Sequence, residues 1–119
     1  MAAFSTSTDE RDGLVLVAVS GELDVANTSE LETLLDRYCV APQPRVVVDM
    51  SNLTFIDSSG LNLLALTART VASLDGSFVV AGPPDHITHV FEVVHLESEV
   101  QVAPSLEDAL ERLAGESSR

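Results

Sequence analysis

Three short and almost wholly apolar runs constrain the fold of this chain more than any other feature of its sequence. They lie at residues 14–19 (LVLVAV), 45–50 (RVVVDM) and 76–82 (GSFVVAG). An apolar run of this length is typical of a strand that is covered on both faces of a sheet. Because helix-like segments separate the three runs, the pattern predicts an α/β domain with a largely parallel sheet.

Four further segments carry apolar residues at the spacing of a helix with one buried face. The first follows Asp24, which is predicted to be its N-cap, and the second begins at about Ser58. The third is predicted over residues 85–94. The fourth is predicted over residues 105–115, where Gly115 suits the end of a helix.

Short strands are predicted near both ends of the domain. A turn at Asp12–Gly13 would join a strand near residues 3–8 to the first apolar run as an antiparallel hairpin. Another short strand is predicted at 99–103. These elements predict a single domain over residues 1–115, followed by a flexible tail over residues 116–119.

The net charge of the chain argues against two classes of binding partner. Nineteen acidic residues stand against six arginines, no lysine is present, and the formal net charge is −13. Nucleic acids and anionic membrane surfaces would be repelled, so neither is an expected partner. The charge is explained either by a solvated, soluble surface or by an acidic face that binds a basic protein.

Other features favour a cytoplasmic location. The single cysteine, Cys39, rules out an internal disulfide and fits a reducing compartment. No apolar run approaches the roughly 18 residues that a membrane span needs. The first residues lack the basic region and the apolar core of a secretory signal.

Two histidines are the nearest approach to a metal site. His86 and His89 are spaced three residues apart, which can bring two imidazole rings together on a helix. Further ligands are missing from the sequence around them. We therefore predict neither a metal nor a cofactor.

The stretch 55–61 (FIDSSGL) places an acid, two hydroxyls and a glycine between two apolar segments. The preceding strand is predicted to end near Met50 and to be followed by a loop of roughly six or seven residues. Asp57 or Ser58 could then cap a helix, whose partly positive start would tolerate a phosphate on Ser58. The residues alone leave three roles open: helix capping, a catalytic nucleophile, or a serine that another protein modifies.

Two motifs together suggest a family. GELD at 21–24 and VVVDMSNLTFIDSSGL at 46–61 resemble the bacterial anti-sigma factor antagonists of the STAS family, named for sulfate transporters and anti-sigma factor antagonists. The resemblance extends from the N-terminal hairpin through the last helix. It implies a STAS-type single domain with a mixed, mostly parallel sheet of four or five strands and about four helices.

The resemblance also implies a function. In this family the first serine after the aspartate is phosphorylated, and that position is Ser58 here. The unphosphorylated protein binds an anti-sigma factor, which releases its sigma factor, and phosphorylation ends the interaction. The anti-sigma factor is often itself a serine kinase of the histidine-kinase-like ATPase fold, and a PP2C-type phosphatase reverses the modification. The residues expected at the partner interface are Asp24, Asp57, Ser58, Ser59, Gly60 and Asn62.

Two alternatives to this function are open. An enzyme that uses Ser58 or Ser59 as its nucleophile is disfavoured, because neither serine has the preceding glycine of a G-x-S-x-G elbow. A kinase is disfavoured because the chain has no phosphate-binding loop and no lysine. A STAS module of a stressosome, or of another complex controlled by phosphorylation, fits the same motif. We therefore expect a binding protein without enzymatic activity.

Overall fold

The computed structural model describes residues 3–117, with side chains described for residues 3–114. In this range the chain forms five strands and four α-helices. The strands are β1 (Ser5–Arg11), β2 (Leu14–Leu23), β3 (Arg45–Ile56), β4 (Ser77–Ala81) and β5 (Gln101–Ala103). The helices are α1 (Thr28–Tyr38), α2 (Ser58–Ser73), α3 (Asp85–Val93) and α4 (Leu106–Ser117), and a 3₁₀ turn spans Leu96–Ser98.

The five strands form one mixed sheet in the order β1-β2-β3-β4-β5. β1 pairs with β2 in the antiparallel sense, and each later pair is parallel. Asp12 and Gly13 join β1 to β2 with φ values of 51° and 80°, as a tight hairpin turn requires. The predicted mixed, mostly parallel sheet with its N-terminal hairpin is therefore confirmed. We call the end of the sheet where β2 to β5 finish its carboxyl end, and the other its amino end.

Helices cover both faces of the sheet, which explains the apolar runs in the central strands. Val46 and Val48 of β3 face a core formed with α1, α2 and α3. Val47, between them, faces a second core formed with α4. All three side chains are fully buried, so a polar residue at any of them would face the interior.

The junction between β3 and α2 is shorter than predicted. β3 does not end near Met50 but continues to Ile56, so Asp57 alone separates the strand from α2. Ser51 and Asn52, which fall in the predicted loop, are exposed residues of the strand. The pairing of β2 with β3 shifts register twice in this stretch, and such irregularities interrupt the spacing by which a strand is recognised. The predicted start of α2 at Ser58 is confirmed.

Two other helix boundaries also differ from the predictions. α1 begins at Thr28 and its N-cap is Asn27, so the prediction that Asp24 is the N-cap is wrong. α4 continues through Gly115, so the predicted helix end there is wrong as well. Residues 118–119, which complete the predicted tail, lie outside the described residues. No helix within residues 3–117 combines the length and the apolar character needed to cross a membrane.

Candidate functional site

The candidate site lies at the carboxyl end of the sheet, where β2 and β3 finish side by side. Because the two strands are parallel neighbours, the loop after β2 (residues 24–27) meets the residue after β3. The backbone N–H of Asp57 donates to the carbonyl of Leu23 at 3.2 Å. The backbone N–H of Val25 donates to Oδ2 of Asp57 at 3.1 Å. The helices that follow the two strands, α1 and α2, therefore start at the same end of the sheet.

Asp57 is the N-cap of α2. Its backbone is extended, and its Oδ1 accepts hydrogen bonds from the backbone N–H groups of Ser59 at 3.0 Å and Gly60 at 3.2 Å. The Ser59 hydroxyl donates to the same oxygen at 2.5 Å. This hydroxyl, helped by the backbone N–H groups of Gly60, Val25 and Ser59 and opposed by desolvation, holds the pKa of Asp57 below its ordinary value of 3.8. Asp57 is therefore ionised at neutral pH.

The two serines that follow Asp57 have different surroundings. Ser58 is exposed, and its hydroxyl makes no hydrogen bond to any residue that the structure describes. Ser59 is half-buried, and its hydroxyl is bound to Asp57. Of the two capping residues that the sequence suggested, the cap is thus Asp57 and not Ser58. Of the two hydroxyls, that of Ser58 is the more open to an approaching protein.

Gly60 lies beneath the site. It is buried, and a Cβ at this position would come within 2.8 Å of Cγ1 of Ile56 and 3.0 Å of Cγ of Leu23. Glycine is therefore needed because the first turn of α2 packs against the ends of β2 and β3. The close approach is made to the core of the domain itself, and a contact of Gly60 with a partner stays a prediction.

The loop after β2 is ordered by Asn27, a residue that the sequence analysis did not single out. Its Nδ2 donates to the carbonyl of Glu22 at 2.6 Å, and its Oδ1 accepts from the backbone N–H of Asp24 at 2.9 Å. Asp24 is half-buried in the same turn, where its Oδ1 accepts from the backbone N–H of Ala26 at 3.0 Å. An asparagine in a short strand–helix loop was the one available signal, because its side chain readily bonds to nearby backbone groups.

Exposed apolar side chains are present on the loop after β2, at the end of β3 and on α2. Val25, in the loop bound to Asp57, is 77% exposed, and Phe55, three residues before Ser58, is 46% exposed. Leu66, two turns along α2, is 51% exposed. Apolar groups left in water beside a candidate site are typical of a surface that a partner covers.

A shallow groove of about 180 Å³ runs between α1 and α2 beside these residues. Asn62, exposed one turn after Ser58, lies on its wall. The full lining is Thr28, Glu32, Ser59, Asn62, Leu63 and Leu66. The groove therefore links the first turn of α2 to the exposed Leu66.

Comparison with known proteins assigns the chain to a family. The STAS domain family matches residues 5–109, a range that contains the whole sheet and the junction at Asp57. This chain belongs to the STAS domain family.

Its relatives carry consistent names. BtrV of Bordetella bronchiseptica, named as a candidate anti-sigma factor antagonist, is 32% identical over 101 residues, which are 85% of this chain and 87% of BtrV. The anti-sigma-B factor antagonist of Staphylococcus aureus is 30% identical over 95 residues, 80% of this chain and 88% of the relative. A solved anti-sigma factor antagonist from Mycobacterium paratuberculosis is 28% identical with a TM-score of 0.78, covering 92% of this chain and 93% of its own. The predicted family and fold are thus confirmed.

Charge is unevenly distributed over this STAS domain. None of the five arginines within the described residues lies at the carboxyl end: Arg11 and Arg45 are at the amino end, and Arg37, Arg69 and Arg112 lie in the second halves of their helices. Acidic residues occupy the carboxyl end at Glu22, Asp24, Glu30, Asp57, Asp85, Glu107 and Asp108. The end that presents Ser58 is therefore strongly negative.

The two histidines of α3 lie apart from the capping network. His86 contacts the backbone, with its Nε2 at 2.7 Å from the carbonyl oxygen of Thr54, which joins the start of α3 to the end of β3. Within the described residues of this STAS domain, no three or more histidine, cysteine or acidic side chains are grouped so that they could hold a metal ion.

Proposed function

We propose that this STAS domain is an anti-sigma factor antagonist that works by exchange of partners. Its unphosphorylated form binds an anti-sigma factor, which then releases a sigma factor, and phosphorylation of Ser58 ends the interaction. Relatives with this name support the proposal, since they align with 80–85% of the chain. The motif around Ser58 supports it as well.

One observation carries the proposal: the Ser58 hydroxyl is exposed at the start of α2 and unbonded among the described residues. A kinase must bring an acceptor hydroxyl within reach of a phosphorus atom, so a free hydroxyl suits its active site. Because Ser58 takes no part in the cap, its phosphorylation removes no hydrogen bond that starts the helix. The partial positive charge of the helix start also favours a negative group there.

A phosphate on Ser58 would act on the partner more than on the fold. It adds about −1.5 to −2 charges at neutral pH, beside the ionised Asp57. A partner that covers Val25 and Ser58 would have to desolvate this added charge. A loss of about 2.7 kcal/mol is enough to weaken binding a hundredfold.

The proposed partners follow from this mechanism. An anti-sigma factor that is itself a serine kinase of the histidine-kinase-like ATPase fold would bind this surface and also modify it. A PP2C-type phosphatase would restore the binding form. These exchanges, with no nucleic acid or membrane involved, would take place in the cytoplasm.

We propose that the domain has no catalytic activity of its own. Among the described residues, neither Ser58 nor Ser59 is hydrogen-bonded to a histidine that could act as a general base. The carboxylate that does contact Ser59 is occupied as a helix cap. Ester or nucleotide hydrolysis that is lost on Ser58→Ala would contradict this proposal.

The test combines the purified domain with ATP and each candidate kinase encoded near its gene. Peptide mass mapping is expected to locate the phosphate on Ser58, and the unmodified form is expected to bind the kinase more tightly. Ser58→Ala is the control, expected to bind and to resist modification. Phosphate found only at another residue, or equal binding of both forms, would count against the proposal.

A further inference from the structure

Two adjacent serines compete for one phosphoryl group in this site, and their contacts with Asp57 distinguish them. Ser58 is exposed, whereas the hydroxyl of Ser59 donates to Oδ1 of Asp57 at 2.5 Å. We propose that Asp57 is a specificity-determining residue, which withholds Ser59 from the kinase so that the phosphoryl group goes to Ser58. This inference rests on the proposed function and gives Asp57 a role beyond capping.

The chemistry of the transfer shows what an acceptor must offer. The serine Oγ attacks the γ-phosphorus of a nucleoside triphosphate held by the kinase. The new O–P bond forms, the bond from phosphorus to the β–γ bridging oxygen breaks, and the nucleoside diphosphate leaves with that electron pair. The serine proton passes to a carboxylate base of the kinase. An acceptor hydroxyl must therefore direct its proton to that base and a lone pair to phosphorus.

Ser59 does not meet these requirements while Asp57 is in place. Its proton is directed at Oδ1 of Asp57, and its half-buried side chain lines the groove between α1 and α2. To react, Ser59 would have to break a hydrogen bond to a charged group, which is stronger than one between neutral groups. Ser58 reacts without breaking any hydrogen bond between described residues.

The opposite role would be that Asp57 activates Ser59 by accepting its proton. The hydrogen bonds around the carboxylate argue against it. Oδ1 accepts from the hydroxyl and backbone of Ser59 and from the backbone of Gly60, and Oδ2 accepts from the backbone of Val25. Led by the Ser59 hydroxyl, these donors hold the pKa of Asp57 below 3.8, which makes it a weak base. The two roles predict opposite effects when the carboxylate is removed.

The test measures the ratio of phosphate on Ser59 to phosphate on Ser58 by fragmentation mass spectrometry, after limited treatment with the kinase and ATP. A ratio within one population of molecules cancels any change in the overall rate of phosphorylation that is common to both serines. Asp57→Asn keeps an oxygen for the cap but removes the charge, and should raise the ratio roughly threefold. Asp57→Ala removes the acceptor and should raise it roughly tenfold. A ratio that stays constant or falls in both variants would overturn the inference.

Two further comparisons sharpen the result. Asp85→Asn removes one charge from the same end of the sheet without touching either serine, and should leave the ratio unchanged. Against a Ser58→Ala background, adding Asp57→Asn should speed phosphorylation of Ser59. If the wild-type protein takes up phosphate on neither serine, the proposed function fails together with this inference. If every variant is modified on Ser58 alone, the inference fails and the proposed function stands.

Discussion

The two ends of the sheet differ in what their polar groups bind. At the carboxyl end, the Ser58 hydroxyl is left without a partner among the described residues, and Val25 beside it is 77% exposed. At the amino end, the guanidinium of Arg45 donates to the carbonyl of Asp12 at 2.5 Å and to that of Leu113 at 3.2 Å. The Arg45 side chain therefore binds within the chain, whereas the Ser58 hydroxyl is left available to a second protein.

One titratable group at each end has a shifted pKa, and the two pKa values shift in opposite directions. Burial, followed by the nearby charge of Asp36, raises the pKa of the Cys39 thiol at the end of α1 from 9.0 to about 11. At the other end, the Ser59 hydroxyl and backbone N–H groups lower the pKa of Asp57. The Cys39 thiol is buried within the domain, whereas the Asp57 carboxylate lies beside the exposed Ser58. We expect substitutions at the amino end to change stability and substitutions at the carboxyl end to change affinity.

The largest effect is expected from Gly76→Ala at the amino end. A Cβ there would overlap the carbonyl oxygen of Pro44, which accepts the backbone N–H of Ser77 at 2.7 Å. Because backbone must move to make room, we expect the free energy of unfolding to fall by about 3 kcal/mol. Urea denaturation measures the loss. Affinity for the anti-sigma factor, measured where the variant is still folded, should be unchanged. A parallel loss of affinity would contradict the expectation that substitutions at the amino end change stability alone.

The next largest effect is expected at the carboxyl end, where affinity should change and stability should not. Ser58→Asp is expected to weaken binding of the anti-sigma factor by up to about a hundredfold, since the carboxylate must be desolvated at the interface. The free energy of unfolding should change by less than about 0.5 kcal/mol, because the side chain is exposed. Titration calorimetry and urea denaturation measure the two quantities.

Ser58→Asn is the matched control, because asparagine has nearly the same shape as aspartate but carries no charge. It should retain most of the affinity. Amide chemical shifts should change only near residues 55–64 and their spatial neighbours when Ser58 is phosphorylated. Shifts spread through the central strands would show that the modification rearranges the fold instead.

A smaller effect is expected from Leu66→Glu. Leu66 is 51% exposed on the groove between α1 and α2, so a charge there should weaken binding about tenfold if the partner covers the groove. Val93→Glu is the matched control, since Val93 is 64% exposed at the far end of α3. Both variants should fold normally in thermal denaturation. Equal affinities for the two variants would show that the partner stops short of the groove.

A further effect is the response of Cys39 to alkaline pH. The thiol ionises later in the folded state than in the unfolded state, so its stabilising contribution is complete below about pH 9 and declines as the pH rises toward 11. Thermal denaturation between pH 8 and 11 should show this decline in the wild type and a weaker one in Cys39→Ala. Identical pH profiles for the two proteins would show that ionisation of Cys39 does not cause the decline.

Local patterns in the sequence predicted much of this architecture. The apolar runs of β2, β3 and β4 were recognisable because both of their faces are buried, and the start of α2 was recognisable from its capping residues. The predicted end of β3 near Met50 was wrong because the polar residues that follow are held in the strand by pairing with β2. That pairing joins segments about thirty residues apart, which no local pattern records.

The site shows the same limit. Asp57 was identifiable as a capping candidate from the sequence, but its contact with the backbone of Val25 depends on two strands finishing side by side. The different surroundings of Ser58 and Ser59 depend on the direction in which each side chain leaves the helix. Asn27 was missed because its value lies in two hydrogen bonds that shape the loop after β2. Sequence patterns supply such residues, and tertiary geometry decides what they do.

The order of the strands has a consequence for how the molecule is made. Each strand pairs with the one synthesised just before it, so no late strand has to be inserted between two earlier ones. Loop closure between neighbours in sequence costs less entropy than closure between more distant segments. The hydrogen bonds of Asn27 and Asp57 described above join only residues 22–60. The groups that hold the start of α2 in place are thus all present when the ribosome has completed about half of the chain, and the growing sheet can receive its remaining strands from one open side.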